Sequence, residues 1–364
     1  MKGLFRYLSP FAPDISGAVS VLYELGGIIV ILDAGGCAGN TCGFDEPRWF
    51  TKKSAIYSAG LRDLDAILGR DDELMDKIAG AIETTSANFI ALVGTPVPSV
   101  IATDYHAISK LCEKRFGLPC LYIETTGMKY YDVGQQMAYV AIDHMVEKKG
   151  SLDTVYVGAT PLDVPFIDGD CLTSLSSYAT LPQAKQAIVM SVSGLPLVRK
   201  YKIPYTFGLN LGHIDVQPKK TLIISQQVWA HMIRQWMGQG DVASFFMMDK
   251  EYMQPNDVHL DGELDLVKLV KTRKYERILC DPLLMRALPD YTGEFISLPH
   301  FAVSGQLYQK ANIEAYLSDL EKALLFVNEF VSMASYKVLG SVPLYIGLPK
   351  KPRSQVRSAT KDRM

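Results

Sequence analysis

The stretch Ile28-Ile-Val-Ile-Leu-Asp-Ala-Gly-Gly-Cys-Ala-Gly-Asn-Thr-Cys-Gly43 decides the fold of this 364-residue chain. Its first five residues are continuously apolar, which is typical of a strand that is buried on both faces. Glycines that follow such a strand directly let the backbone turn sharply into a crossover helix. The stretch therefore predicts a parallel sheet with a glycine-rich turn at its carboxyl edge.

The same kind of apolar run recurs along the chain and alternates with helical patterns. This alternation is typical of parallel sheets with crossover helices. We predict an α/β fold of three Rossmann-like domains with mainly parallel sheets and a C-terminal helix. The predicted strands cover residues 28–32, 89–93, 121–124, 154–157, 187–190, 221–224, 245–248 and 278–280.

A chain of this length exceeds what one hydrophobic core usually fills, so several domains are expected. We place the helix of the C-terminal segment at about 312–333, because its apolar residues fall on roughly one face. The basic tail is predicted to be disordered, and we assign it no function. The predicted units are 1–150 with the glycine-cysteine turn, 151–217, 218–310, a C-terminal helix and segment at 311–347, and the tail at 348–364.

The composition is that of an ordinary globular protein and excludes some function classes. Hydrophobic residues make up 48% and charged residues 21%, and the net charge is −2. Such a charge provides no field to hold nucleic acid or a membrane surface. Residues 1–27 carry no cleavage-site pattern, and no apolar run approaches the roughly 18 residues of a membrane span. We therefore predict a cytoplasmic protein that binds neither nucleic acid nor membranes.

Two of the six cysteines lie in the glycine-rich turn. Without a signal peptide, the cysteines are not expected to form a disulfide framework. Two thiols five residues apart on a turn of this kind can both face one bound group. The alternative is a plain strand-to-helix turn with two partly buried thiols. The residues that we predict to bind a cofactor here are Gly35, Gly36, Cys37, Gly39, Cys42 and Gly43, with Cys37 and Cys42 as metal ligands.

The other cysteines and the histidines are weaker candidates. Cys112, Cys120 and Cys280 lie on apolar helix or strand patterns and are interpreted as core thiols. Cys171 follows a polar loop, which predicts exposure, yet without a partner we interpret it as structural. The histidines are interpreted mostly as helix-surface or cap residues. His213, in a glycine-rich turn after a strand, is the strongest candidate among them to line a cleft between domains.

Several familiar catalytic motifs are absent from the sequence. It has no G-x-x-x-x-G-K-[ST] phosphate loop, so any dependence on ATP must come from a partner protein. It also has no G-x-S-x-G elbow and no G-x-G-x-x-G fingerprint, which disfavours hydrolases and nicotinamide dehydrogenases.

Taken in order, the segments of the first domain resemble the nitrogenase component 1 superfamily. The resemblance rests on Gly35-Gly36-Cys37, Lys53-Ser54-Ala55, the stretch from Ser58 to Leu64 and the strand that leads to Gly94-Thr95-Pro96. It continues through Glu124-Thr-Thr-Gly127, the block at 182–191 and Ile203-Pro-Tyr205. The resemblance in sequence pattern covers roughly residues 10 to 310.

The departures from the family pattern concern the cluster ligands. The family places three cysteines around its iron-sulfur cluster, and only Cys37 is kept. Residues 8–10 contain no cysteine, and Pro96 stands where the family has the third. Thr95 remains in that turn as a further cofactor-binding candidate, and Ser191 stands near the position of a metal-cofactor cysteine.

Cys42 is an additional thiol, so one chain offers two ligands where a four-iron cluster demands about four. Two chains that face each other would supply four. The resemblance therefore implies a four-iron four-sulfur cluster shared between subunits. A cluster-free descendant of the family is the alternative.

The resemblance implies a component-1-like subunit of a two-component, ATP-dependent, low-potential reductase. Electrons would come from a separate ATP-hydrolysing iron protein and pass through the cluster to a small unsaturated or tetrapyrrole-like substrate. The chain would form a homodimer, or a heterodimer with a related component-1-like subunit. The alternatives are a non-catalytic scaffold or maturation subunit that binds a cofactor, and a cluster-free module that binds a small molecule.

Overall fold

The computed structural model describes residues 5–61, 71–161, 163, 167–304, 320, 321 and 324. Three separate sheets follow one another along these residues, and all the strand pairs in them are parallel. This confirms the predicted α/β class. Most of the helix predicted at about 312–333, and the whole tail at 348–364, lie outside the described residues. Leu320 and Leu324 are described, and both are buried in the core of the third sheet.

The first sheet carries the glycine-rich turn. Its strands are β1 (Ile28–Ile31), β2 (Ile56–Ser58), β3 (Ile90–Val93) and β4 (Cys120–Ile123), in the spatial order β2-β1-β3-β4. Strands β1 and β3 are buried along their whole length, as their apolar runs predict. The helices of this part are α1 (Asp14–Leu22), α2 (Gly36–Asn40), α3 (Asp71–Thr84), α4 (Pro96–Val100), α5 (Tyr105–Phe116) and α6 (Tyr131–Met145).

The second and third sheets repeat the same construction. The second sheet consists of β5 (Leu152–Val157), β6 (Ala184–Val189) and β7 (Tyr205–Phe207), with helices α7 (Leu175–Thr180) and α8 (Leu195–Tyr201). The third consists of β8 (Thr221–Ile224), β9 (Asp241–Ser244), β10 (Val258–His259), β11 (Arg277–Cys280) and β12 (Glu294–Ser297), in the order β10-β9-β8-β11-β12. Its helices are α9 (Gln227–Met237), α10 (Glu263–Arg273) and α11 (Phe301–Ser304). The exact domain boundaries remain predictions.

None of the helices in the described part of the chain is long and apolar enough to cross a membrane.

One strand prediction is wrong. The apolar run 245–248 follows the strand, which is Asp241–Ser244. The Ser244 hydroxyl accepts a hydrogen bond from the Phe246 N–H at 3.0 Å and turns the chain out of the sheet. Phe245 and Phe246 are nonetheless buried, and they pack against Phe11 from the N-terminal segment. The run is apolar because it fills a core between segments rather than because it pairs in the sheet.

Helices α1 and α6 cross with their backbones in direct contact. A Cβ atom on Gly17 would lie 1.8 Å from the carbonyl oxygen of Tyr131, and one on Gly134 would lie 1.8 Å from that of Asp14. Real carbon atoms do not approach this closely, so both positions require glycine. The Asp14 carboxylate caps the contact, because it accepts hydrogen bonds from the Thr126 and Gly127 N–H groups at 3.0 and 2.7 Å.

Buried polar contacts connect the three sheets. On α6, the carboxylate of Asp132 accepts a hydrogen bond from the Met247 N–H, which follows β9. The Trp229 indole on α9 donates to Asp163, which follows β5, at 2.8 Å. Burial raises the pKa of both carboxyl groups to about 6. The relative positions of the sheets therefore depend on a few directional bonds as well as on apolar packing.

We expect Gly134→Ala to lower the free energy of unfolding by about 3 kcal/mol or more, because overpacking against rigid backbone forces α1 and α6 apart. The matched control is Gly80→Ala on α3, where an added Cβ meets nothing within 4 Å. The control should raise stability slightly, by up to about 1 kcal/mol, since alanine favours helix over glycine. Thermal and denaturant unfolding of both variants test this, and equal midpoints would contradict the close crossing.

Candidate functional site

Asp33 anchors the turn at the carboxyl end of β1. It is 1% exposed, and its two carboxylate oxygens accept hydrogen bonds from the Ser58 hydroxyl at 2.6 Å and the Ala38 N–H at 2.8 Å. One side chain thus joins the ends of β1 and β2 to the start of α2. Between them Gly35 has a φ of 113°, a conformation that favours glycine.

Thr95, at the end of β3, also joins the ends of two neighbouring strands. Its side chain is fully buried, and its hydroxyl donates to the Leu32 carbonyl at 2.7 Å. This bond holds the ends of β1 and β3 together directly beneath the glycine-rich turn. Thr95 therefore lies at the predicted edge, with its hydroxyl proton committed to the backbone.

The two cysteines lie on one helical segment, whereas the sequence predicted that both lie in the glycine-rich turn. Helix α2 (Gly36–Asn40) carries Cys37 and continues into a single π-helical turn, Thr41–Asp45, that carries Cys42. The Asp33 carboxylate accepts a hydrogen bond from the Ala38 N–H in the first turn and so satisfies one of the donors that a helix start leaves unpaired. Both cysteines are free thiols of intermediate exposure. Such π-turns often occur at functional sites.

The surroundings of the two thiols favour the protonated form. Burial raises the pKa of the Cys37 thiol, and the nearby Asp33 carboxylate raises it further. Burial likewise raises the pKa of Cys42 to about 11, with a further contribution from Glu46. Cys37 also packs against the apolar core that the first and second sheets share. In the described part of the chain, no three His, Cys, Asp or Glu side chains come together as a metal site.

A buried ion pair, which sequence inspection missed, holds the segment in place. Glu46 is 2% exposed, and both of its carboxylate oxygens accept hydrogen bonds from the Arg48 guanidinium at 2.8 Å. Arg48 also donates to the carbonyl of Ser20 on α1, and the Ser16 hydroxyl of α1 donates to Asp45 at 2.6 Å. The only signal in the sequence was a Glu-Pro-Arg triplet, which is common on protein surfaces.

The outer face of the cysteine segment is open. Cβ atoms added to Gly36, Gly39 or Gly43 would meet nothing within 4 Å. Phe44, which follows directly, is 58% exposed. Glycine weakens a helix by about 1 kcal/mol relative to alanine, and the space that a Cβ would occupy at these three positions is free of other described residues within 4 Å. The face is therefore suited to the close approach of another backbone.

Exposed apolar side chains continue along the same edge of the first sheet. Val100 on α4 and Met128 after β4 are each 84% exposed, and Ile101 is 43% exposed. The connections after β3 and β4 touch, since a Cβ on Gly127 would lie 3.1 Å from the Pro96 ring. Exposed apolar side chains that cluster at one edge are a feature of protein interaction sites.

The remaining candidates lie away from this edge. Cys112, Cys120 and Cys280 are buried, which confirms them as core thiols. Cys171 is also buried, at 7% exposure, so the predicted exposure is wrong. It follows a turn that folds back along β5, where the Tyr156 N–H donates to the Asp170 carbonyl. His213 is exposed and packs beside Gly238 at the end of α9.

A small cavity lies between the first two sheets. It is partly open to solvent and has a volume of about 30 Å³, enough for one or two water molecules. It is lined by α1, Arg48, Gln135, Tyr139 and the segments around Ala159 and Cys171. Arg48 thus reaches from the cysteine segment to the boundary with the second sheet. The cavity is too small for a tetrapyrrole or a metal cluster.

The fold matches known structures, whereas the sequence matches no family. No protein-family model and no curated protein match this chain. Among solved structures, nitrogenase Cp1 at pH 6.5 aligns with a TM-score of 0.63 and 10% identity, over 87% of this chain and 93% of that chain. Nitrogenase Cp1 at pH 5 aligns with a TM-score of 0.62 and 11% identity, over 90% of this chain and 91% of that chain. The chain therefore has a nitrogenase-like fold along almost its whole described length.

We expect Glu46→Gln to make Cys42 more reactive towards iodoacetamide. Removal of the Glu46 charge lowers the pKa of Cys42, so more thiolate is present at pH 9, and each unit of lowering increases the rate by up to about tenfold. Alkylation at Cys42 followed by peptide mass spectrometry measures this rate. Exposed Glu83 provides the matched control, because Glu83→Gln should leave the rate unchanged. An equal rate in wild type and Glu46→Gln would show that Glu46 does not control this thiol.

Proposed function

We propose that the chain is a component-1-like subunit of a two-component low-potential reductase. The observation that carries the proposal is the pair Cys37 and Cys42, which lie on one open-faced helical segment at the carboxyl edge of the first sheet in a nitrogenase-like fold. Ligand sites of parallel α/β sheets lie at this edge. The Gly35-Gly36-Cys37 segment resembles the cluster-binding turn of the nitrogenase component 1 superfamily, and this resemblance also supports a site at that edge.

The two thiols of each chain match a shared cluster in the number and kind of ligand that they offer. Cys37 and Cys42 would hold it together with the same two residues of a second copy, or with equivalent thiols of a related subunit. A symmetric contact presents each residue twice around its axis, so two thiols on each chain supply the four that a cubane cluster requires. When bound, such a cluster accepts and passes on single electrons at low potential.

The residues around the thiols have defined tasks in this proposal. Asp33 and the Glu46–Arg48 pair hold the helical segment at a fixed height above the sheet. Gly36, Gly39 and Gly43 let a partner backbone approach, and Phe44 with the apolar side chains of α4 excludes water from the contact. Because Asp33 and Glu46 disfavour free thiolates, the thiols lose their protons only when a cation arrives.

The chain has no phosphate loop, so the proposal includes a separate ATP-hydrolysing iron protein as the electron donor. The substrate is a small unsaturated or tetrapyrrole-like molecule. The 30 Å³ cavity by Arg48 is too small for it, so the proposal places the substrate at a surface that the partner subunit completes.

The second candidate is a cluster-free scaffold or small-molecule binding module. Two observations favour it, namely the raised pKa values of both thiols and the lack of a third ligand among the described residues. In that case the open edge would bind a cofactor precursor or a partner without electron transfer. Iron content separates the two candidates.

Under the first candidate, anaerobically purified protein is brown, absorbs broadly near about 400 nm and holds about two iron atoms per chain. Cys37→Ser and Cys42→Ser should each lose most of this iron and weaken the dimer, because metal binding and assembly share one free energy. Cys171→Ser is the control, since its hydroxyl can still donate to the Gly169 carbonyl. A colourless wild-type protein, or full iron in Cys37→Ser, would favour the cluster-free module.

A further variant tests the contact surface without touching a ligand. Gly39→Ala adds a Cβ that lies more than 4 Å from the surrounding described residues, so the monomer should fold with equal or slightly higher stability. The dimer dissociation constant, measured by sedimentation equilibrium, should rise roughly tenfold or more, because a backbone can no longer approach that face. Gly80→Ala provides the matched helix control. If Gly39→Ala dimerises like wild type, this face is not the contact.

A further inference from the structure

Two buried carboxylates join the first and second sheets to the third unit, which consists of β8–β12 with α9–α11. Asp132, on α6 beside the first sheet, is 4% exposed, and Asp163, after β5 of the second sheet, is 3% exposed. Asp132 accepts a hydrogen bond from the Met247 N–H, and Asp163 accepts one from the Trp229 indole at 2.8 Å. Met247 follows β9 and Trp229 lies on α9. The third unit therefore donates to one carboxylate from each of the other two.

No cation offsets the charge of Asp132. It also accepts a hydrogen bond from the Val133 N–H at 3.0 Å, and no lysine, arginine or histidine in the described part of the chain forms an ion pair with it. The titratable groups on its two sides are Tyr130 and, stacked on Phe246 of the facing turn, His300. Burial raises the pKa of Tyr130 and lowers the pKa of His300 to about 3. Both groups are therefore uncharged between pH 5 and pH 7.

Asp163 likewise has no cation beside it among the described residues. It also accepts a hydrogen bond from the Thr160 N–H at 2.7 Å. The titratable groups that face it are Tyr139 on α6 and Cys171 after β5. Burial raises the pKa of Cys171 to about 12 and also raises the pKa of Tyr139, so both are uncharged at neutral pH. Each carboxylate is thus held at the boundary by neutral hydrogen-bond donors alone.

We propose that Asp132 and Asp163 form a pH-sensitive latch, which holds the third unit against the first and second sheets more tightly in mildly acidic solution than at neutral pH. A buried carboxylate without a counter-charge is more stable when protonated, because desolvation penalises the charged form. When the third unit separates from the other two, water reaches both carboxylates and favours their ionisation. The closed arrangement thus binds protons that the open arrangement releases, so a falling pH favours closure.

The pKa shifts define the pH range of the latch. Burial raises the pKa of each carboxyl group from 3.8 to about 6 in the closed arrangement. The added stability is therefore fully present below pH ~4 and is lost as the pH rises through ~6. A change from pH 7 to pH 5 should raise the equilibrium constant for closure about tenfold for each group and roughly a hundredfold for both.

A third carboxylate at this boundary does not contribute to the pH dependence. Glu263 at the start of α10 accepts hydrogen bonds from the N–H groups of residues 6–8, which precede the first sheet. Burial alone would raise the pKa of Glu263, but these three N–H groups lower it below its ordinary value. Glu263 therefore keeps its charge between pH 5 and pH 7.

Hydrogen exchange of the two bridging N–H groups tests the latch, because each exchanges only when its carboxylate contact opens. Protection factors of the Met247 amide and the Trp229 indole, corrected for the intrinsic rate at each pH, should rise roughly a hundredfold from pH 7 to pH 5. Asp132→Asn and Asp163→Asn keep an acceptor oxygen but cannot ionise. Each should reduce the rise to about tenfold at both probes, and the double variant should abolish it. Exposed Asp290 provides the matched control, because Asp290→Asn should keep the full rise.

The wild-type profile decides the proposal even if a variant does not fold. Equal protection of both probes at pH 5 and pH 7 would overturn it. The Val30 amide in buried strand β1 reports global unfolding and should stay better protected than both probes. Equal protection of all three would show that the contacts open only when the chain unfolds. A single variant that changes the profile only at its own probe would show two separate contacts instead of one latch.

Discussion

The direct contact between the backbones of α1 and α6 is the constraint on which the rest of the structure depends. Gly17 and Gly134 allow it, since any side chain at either position would overlap a carbonyl of the other helix. Helix α1 provides Ser16 and Ser20, which hold the cysteine segment, and α6 provides Asp132, which reaches the third sheet. This one crossing thus sets the height of the two thiols above the first sheet and the position of the third sheet.

The sheets could be predicted from the sequence because their central strands are buried on both faces and therefore apolar throughout. β1, β3 and β8 are of this kind. The same rule failed at Phe245 and Phe246, which are apolar for a different reason, since they fill the space between the third sheet and the N-terminal segment. An apolar run indicates that its residues are buried. Only the backbone hydrogen bonds distinguish a buried strand from a buried turn.

The candidate site was predictable only in part. Its place at the carboxyl edge of β1, and the neighbouring positions of Cys37 and Cys42, follow from the local sequence. Its electrostatics do not, because Glu46 affects Cys42 only after the π-turn and the Arg48 bond bring it inward.

The π-helical turn at Thr41–Asp45 also bears on how such a segment can change over evolution. A π-turn holds one residue more than the α-helical turn it replaces, and each residue of an α-helix turns the chain by about 100°. Deletion of one residue between Cys37 and Cys42 would remove that extra residue and leave the two cysteines four positions apart, a spacing that places side chains next to each other on one face of an α-helix. A single-codon change could thus reorient one thiol against the other while both cysteines remain in the sequence.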